Sequence, residues 1–180
     1  MKNLIEYIKE GLKITSKTKI DKYNYRPKTE KELHYLLKQL IEERGNEGDF
    51  NDIDTSKITD MSYLFYYKDK FNGDISNWDV SNVVDMNSMF NDCEVFNRSL
   101  ANWDVSNVTD MNTMFYKCEL FNQPLADWDV SKVTNMEFMF NGCKSFNQDI
   151  SNWNVSNVNY YHEIFKKCPI EEKYKPKFKK

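Results

Sequence analysis

The sequence predicts an α/β solenoid, in which coils of one short strand and one short helix stack on one another and close under a helical cap at the N-terminus. Three observations predict it. Four tryptophans, Trp78, Trp103, Trp128 and Trp153, recur at a fixed step of 25 residues. Four cysteines (Cys93, Cys118, Cys143, Cys168) and two phenylalanine columns, one through Phe71, Phe96, Phe121 and Phe146 and one through Phe65, Phe90, Phe115, Phe140 and Phe165, keep the same step. Within each unit the apolar pattern changes from period two to helical spacing.

Independent columns that share one period mark an internal repeat. The unit reads L-x-x-W-D-V-S-N-V-T-D-M-x-x-M-F-x-x-C-x-x-F-N and is best preserved from Leu100 to Asn122. A worn copy opens at Phe50, with Ile53 in place of tryptophan and Lys68 in place of cysteine. The last copy decays as well: Tyr161 and Ile164 stand at methionine positions, and Glu171 stands where phenylalanine would recur. Terminal copies of a stacked repeat face water or a cap, so worn ends are expected.

Leu100, Trp103 and Val105 open the unit, and the W-x-V alternation predicts a short strand. Met111, Met114, Phe115 and Cys118 fall at i, i+3, i+4 and i+7, one face of a short helix. Thr109 or Asp110 can cap its start, and Asn122 follows it where a residue tolerant of the left-handed region turns the chain back. One strand, one turn and one short helix in 25 residues reads as a leucine-rich-repeat coil.

The units WDVSNVVDMNSMFNDCEVFN, WDVSNVTDMNTMFYKCELFN and WDVSKVTNMEFMFNGCKSFN resemble the repeat of the BspA-like leucine-rich-repeat bacterial surface proteins. The flanks YRPKTEKELHYLL and CPIEEKYKPKF resemble that family's capping segments. The resemblance spans residues 22–180 and implies a leucine-rich-repeat solenoid used for binding and adhesion at a cell surface, without catalytic machinery. The residues at the N-terminus show no export signal, because Glu6, Lys9 and Glu10 interrupt the apolar pattern of MKNLIEYIKEGLKIT. On that reading the chain is cytoplasmic or trimmed.

The expected organisation is a helical cap over 1–45, five coils over 46–170 and a basic tail over 171–180. Thr29-Glu30-Lys31-Glu32 has the form of a capping box. Leu33, Leu36, Leu37, Leu40 and Ile41 follow at helical spacing, and Gly45 ends the run. Leu4, Ile5, Ile8 and Leu12 suggest a second short helix, and the polar residues 15–28 a connection. The lysines from Lys173 to Lys180 read as a solvated terminus.

A net charge of −3 argues against wrapping nucleic acid, and no long uncharged apolar run proposes a membrane span. Zinc sites pair their cysteines two to four residues apart. Here the cysteines lie 25 apart beside Met114 and Phe115, so they read as buried, reduced thiols rather than ligands or bridges. Met111, Met114, Met136 and Met139 read as core. His34 and His162 are far apart in the chain. With no glycine-rich phosphate loop and no nucleophile motif, no enzyme, metal or cofactor is expected. The column Asn72, Asn97, Asn122, Asn147 reads as turn structure, and the glycosylation pattern Asn107-Val108-Thr109 as incidental.

The informative columns are those that would face out of the strand. With Trp103 and Val105 inward, Asp104 points outward. Its column is Asp54, Asp79, Asp104, Asp129 and Asn154, beside Asn77, Asn102, Asp127 and Asn152 and the serines Ser56, Ser81, Ser106, Ser131 and Ser156. This sheet face is expected to bind a partner, in the first reading a protein of unspecified identity. The second reading is a metal- or glycan-binding adhesion domain that uses the aspartate ladder. Carboxylates repeated at about 4.8 Å need compensation, either from turn hydrogen bonds or from a bound cation.

Overall fold

The structure, a computed structural model, describes residues 22–179. Its single α-helix, α1, runs over Glu30–Arg44. One half of the capping box forms as the sequence implies: Thr29 Oγ1 accepts from the Glu32 N–H at 3.2 Å. The Glu32 carboxylate reaches back to the Lys28 N–H at 2.7 Å, one residue before the cap. Gly45 takes φ 77° and donates to the Ile41 carbonyl, a conformation glycine adopts without steric cost. Leu33, Leu37 and Leu40 are buried in the core they share with the first coil. Arg44 fastens the other end. Its guanidinium donates to both Asp52 oxygens, at 2.7 and 3.1 Å, and to the Asp49 carbonyl at 2.7 Å. The suggested helix at Leu4 to Leu12 lies outside the described residues.

Beyond α1 the chain winds into 25-residue coils that stack in register, and isolated parallel bridges link Asp60, Asp85, Asp110, Asn135 and Tyr160 in sequence. The expected helix does not form in any coil. In a helix every N–H turns back to the fourth preceding carbonyl. Here Met111, Thr113, Phe115 and Lys117 instead donate along the stack to Asn135, Glu137, Met139 and Asn141 of the next coil, at 2.8–3.0 Å. Only the alternate groups, on Met114, Tyr116 and Cys118, turn back, and they bond three residues away to Met111, Thr113 and Phe115.

The backbone achieves this with two columns of positive φ. One runs through Tyr63, Ser88, Thr113, Phe138 and Glu163, the other through Tyr67, Asp92, Lys117, Gly142 and Lys167. Thr113 and Lys117 are the third residues of the turns Met111–Met114 and Phe115–Cys118, where a type II turn requires positive φ. Nine of the ten positions are not glycine, and each holds φ between 50° and 59°. A left-handed L-residue costs roughly 1–2 kcal/mol, so the packed core and the bonds along the stack hold the turns against their own strain.

The expected strand is absent too. The Trp103 N–H closes a turn onto Leu100 and the Val108 N–H closes one onto Val105, so W-D-V is a crossing between two turns. The leucine-rich-repeat α/β solenoid is therefore not the architecture. The described residues hold one α-helix, one 3-10 turn at Glu172–Tyr174 and six isolated bridges, with no sheet and no repeated helix.

The core is built as ladders. Phe65, Phe90, Phe115, Phe140 and Phe165 stack with ring centroids 5.4–5.9 Å apart. The second phenylalanine column interleaves with the first at 4.1–4.3 Å within each coil. Trp78, Trp103, Trp128 and Trp153 are buried. Each donates its indole N–H to a carbonyl of the preceding coil: Phe50, Ile75, Leu100 and Leu125, at 2.9–3.2 Å. A buried tryptophan thus gains a partner without leaving the apolar interior. The segment expected as a solvated tail closes the far end. Pro176 is buried, as is Ile170 of the last coil, and the Phe178 ring stacks on Tyr161 at 4.5 Å.

Candidate functional site

The aspartates picked out from the sequence do sit at the surface, but each serves its own turn. Asp54 and Asp79 accept from the backbone N–H of Ser56 and Ser81 at 3.1 Å and from the hydroxyl of the same serine at 2.6 Å. Asp104, Asp129 and Asn154 accept from the N–H of Ser106, Ser131 and Ser156 at 3.0–3.2 Å. These are Asx turns. Hydrogen bonds from those serines hold the Asp54, Asp104 and Asp129 carboxyls below their ordinary value. The ladder's charge is thus compensated inside each coil. In the neighbouring column the Asn77 N–H donates to Asn51 Oδ1 at 2.8 Å and Asn152 Nδ2 to the Ala126 carbonyl at 2.9 Å, while Asn102 and Asp127 are exposed. Since no sheet forms, none of these residues lies on a sheet face.

Other columns are also absorbed by the stack. Asn97, Asn122 and Asn147 donate their N–H to the side-chain oxygen of the asparagine one coil earlier, at 2.9–3.0 Å. The Asn107 amide, where the glycosylation pattern begins, is bonded to the Ser81 carbonyl at 2.8 Å. All four cysteines are free thiols. Cys93, Cys118 and Cys143 donate to the carbonyls of Phe65, Phe90 and Phe115 at 2.9–3.0 Å. Burial pushes the Cys93 thiol up to about 12 and the less buried Cys168 up to about 11. Among the described residues no group of three His, Cys, Asp or Glu side chains is arranged to hold a metal ion. His34 lies against the Tyr63 carbonyl beside α1, and His162 beside Glu163 on the last coil, so the two histidines form no common site.

The surface that differs from coil to coil is the turn face, where the positive-φ columns emerge. Reading along the stack, one position is Tyr63, Ser88, Thr113, Phe138, Glu163; a second is Tyr66, Asn91, Tyr116, Asn141, Lys166; a third is Tyr67, Asp92, Lys117, Gly142, Lys167. At the α1 end the rings of Tyr63, Tyr66 and Tyr67 are exposed and meet edge to face, with centroids 5.4 and 4.3 Å apart. A groove of about 640 Å³ runs between these turns and α1, lined in part by His34, Tyr35, Lys38 and Lys68. Further along, a concavity of about 320 Å³ opens between Asn91, Thr113, Tyr116, Phe138, Asn141 and Glu163. Two ion pairs stand around it, and Lys167 lies at its rim. Glu163 holds Lys166 at 2.6 Å, which keeps its carboxyl below the ordinary value, and Asp92 holds Lys117 at 3.2 Å. Sequence reasoning passed over this face, although the signal was there: the x positions of M-x-x-M-F-x-x-C vary among the copies while the M, F and C positions between them are largely kept.

The chain matches the family described as "Mycoplasma protein of unknown function, DUF285" over residues 35–132 and again over residues 100–172. The two stretches together take in most of α1 and the whole stack of coils. The chain belongs to DUF285. The likeness to BspA-like leucine-rich-repeat surface proteins is overturned on both counts, since the family matched is DUF285 and the coils lack the strand and helix of a leucine-rich repeat. Neither a curated protein nor a solved structure matches this DUF285 chain. No helix among the described residues is long and apolar enough to cross a membrane.

Proposed function

We propose that this DUF285 chain is a non-catalytic, adhesion-type binding module that engages a macromolecular partner through its variable turn face. One observation carries the reading. The W-D-V-S side is nearly the same in every coil and its polar groups are spent on the repeat's own turns, whereas the turn face changes residue at every coil and exposes tyrosines. Specificity needs surface that differs from place to place, and exposed aromatic clusters are where binding energy concentrates.

The test compares two triple variants for binding of the labelled chain to intact cells. Tyr63→Ser, Tyr67→Ser and Tyr116→Ser should abolish binding, whereas Asp79→Asn, Asp104→Asn and Asp129→Asn should leave it intact. The opposite pattern, or equal binding by both, would refute the assignment of the face.

A further inference from the structure

We propose that the concavity at Asn91 and Asn141 is a sugar subsite that receives one neutral pyranose unit of a glycan. This rests on the binding-module reading and names the chemistry its partner presents. The first support is an amide without a protein partner that opens into the concavity. Asn91 is only 8% exposed; its backbone bonds to Ser88 and Tyr67, while its side-chain amide makes no hydrogen bond to a described residue. No fully enclosed side-chain nitrogen or oxygen among the described residues lacks a partner. The Asn91 amide therefore keeps its opening, and that opening is the concavity it lines. Water reaches the amide through that opening, and a ligand that bonds it takes the place of that water.

The second support is the company it keeps. Asn141, 7% exposed, stands two coils on in the same column, and its Nδ2 makes one long contact, 3.4 Å to Glu163. Tyr116 lies between the two amides in that column, and Phe138 borders the same hollow. A carboxamide offers two donors and an accepting oxygen, which suits adjacent hydroxyls that each donate and accept. The flat apolar faces of Tyr116 and Phe138 suit the C–H face of a sugar ring. The pairing of Glu163 with Lys166 and of Asp92 with Lys117 lowers the incentive for a bound ion, and Lys167 stands at the rim, where water screens it. At about 320 Å³ the hollow has room for a single ring-sized group and not for a folded partner's whole surface.

The experiment is a titration of the full chain, followed by amide NMR, with a panel of methyl glycosides of hexoses and N-acetylhexosamines, and in parallel with N-acetyl-alanine methylamide as a peptide probe. At least one glycoside should shift the resonances of Asn91, Tyr116 and Asn141, with saturable millimolar binding. Asn91→Ala should weaken that binding about tenfold through the lost hydrogen bonds. Tyr116→Ser, at a half-exposed position, should weaken it comparably with an unchanged melting temperature, so that loss in Asn91→Ala cannot be laid to misfolding alone. The inference is overturned if no glycoside shifts these resonances at tens of millimolar, if binding is undiminished in both variants, or if only the peptide probe binds. In each of those outcomes, cell binding that is still lost in the tyrosine variant would leave the binding-module reading standing and remove only the sugar.

Discussion

Each coil shows two sides that answer the same physical demands in opposite ways. On the W-D-V-S side the polar groups close on themselves: aspartate caps serine, and the indole N–H reaches the coil before. On the turn face the backbone N–H groups are spent on the next coil through strained turns, and the side chains above them are left to vary. A side whose bonds are all internal can be copied unchanged but has little to offer a partner. The strained turns are secured chiefly by their backbone, so their side chains can differ from coil to coil.

Removing Trp103 should break that comparison most severely. Trp103→Ala should cost about 3–5 kcal/mol in chemical denaturation, as a large-to-small core change, and would leave the Ile75 carbonyl without its indole donor. A loss below about 1 kcal/mol would show that the invariant side does not hold the stack.

The thiols sharpen the comparison next. Cys93, Cys118 and Cys143 should react with a thiol reagent at pH 8 far more slowly than Cys168, whose burial is incomplete. Because burial raises these pKa values above the unfolded thiol's, the stability they contribute is complete below that value. It is lost as pH rises from about 9 toward 12, seen as a falling midpoint in alkaline melts. Equal labelling rates for all four cysteines would contradict the core assignment.

Asp104 tests the Asx-turn reading at a smaller scale. Asp104→Ala should cost about 1 kcal/mol and Asp104→Asn less, since the amide oxygen keeps the bond that Asn154 already makes. The Asp104 carboxyl is held below its ordinary value, so its share of stability is present above the unfolded aspartate's pKa and fades as pH falls through the folded one. The asparagine variant should therefore lose less stability on acidification. Stabilisation of wild type by added calcium, absent in Asp104→Ala, would restore the cation reading.

The smallest effects belong to the turn face. Gly142→Ala should cost roughly 1 kcal/mol, since its φ is 81° and the new Cβ would sit 3.1 Å from Lys117 Cγ. Lys117→Gly, one coil earlier, should change the melting free energy by no more than about 0.5 kcal/mol, because relief of the left-handed strain offsets the added freedom of the unfolded chain. A large loss in Lys117→Gly would mean that its pair with Asp92 matters more than its backbone.

The cap was legible almost residue by residue, because capping is local: Thr29, Glu32 and Gly45 act within a few positions of their partners. The core columns were legible because an in-register stack must repeat its apolar residues at one step. The secondary structure was misread at Met111, Met114, Phe115 and Cys118, because the spacing that marks one helix face also marks the inward residues of successive tight turns. The alternation at Trp103, Asp104 and Val105 is a true alternation of burial, produced by a crossing between turns and not by a strand. The Asn91 hollow left no local mark, since its walls come from turns 25 or more residues apart.

Residue type and spacing alone carried the 25-residue period, most of the core columns and the ends of α1, because burial and helix capping are written there. Where the backbone bonds go was settled by the stacking of the coils. The N–H of Met111 or Thr113 has its acceptor 24 residues further on, in a coil that positions that carbonyl only once it is stacked. That stacking converts a helical pattern into turns of positive φ, withdraws the aspartates into their own loops and opens the hollow at Asn91.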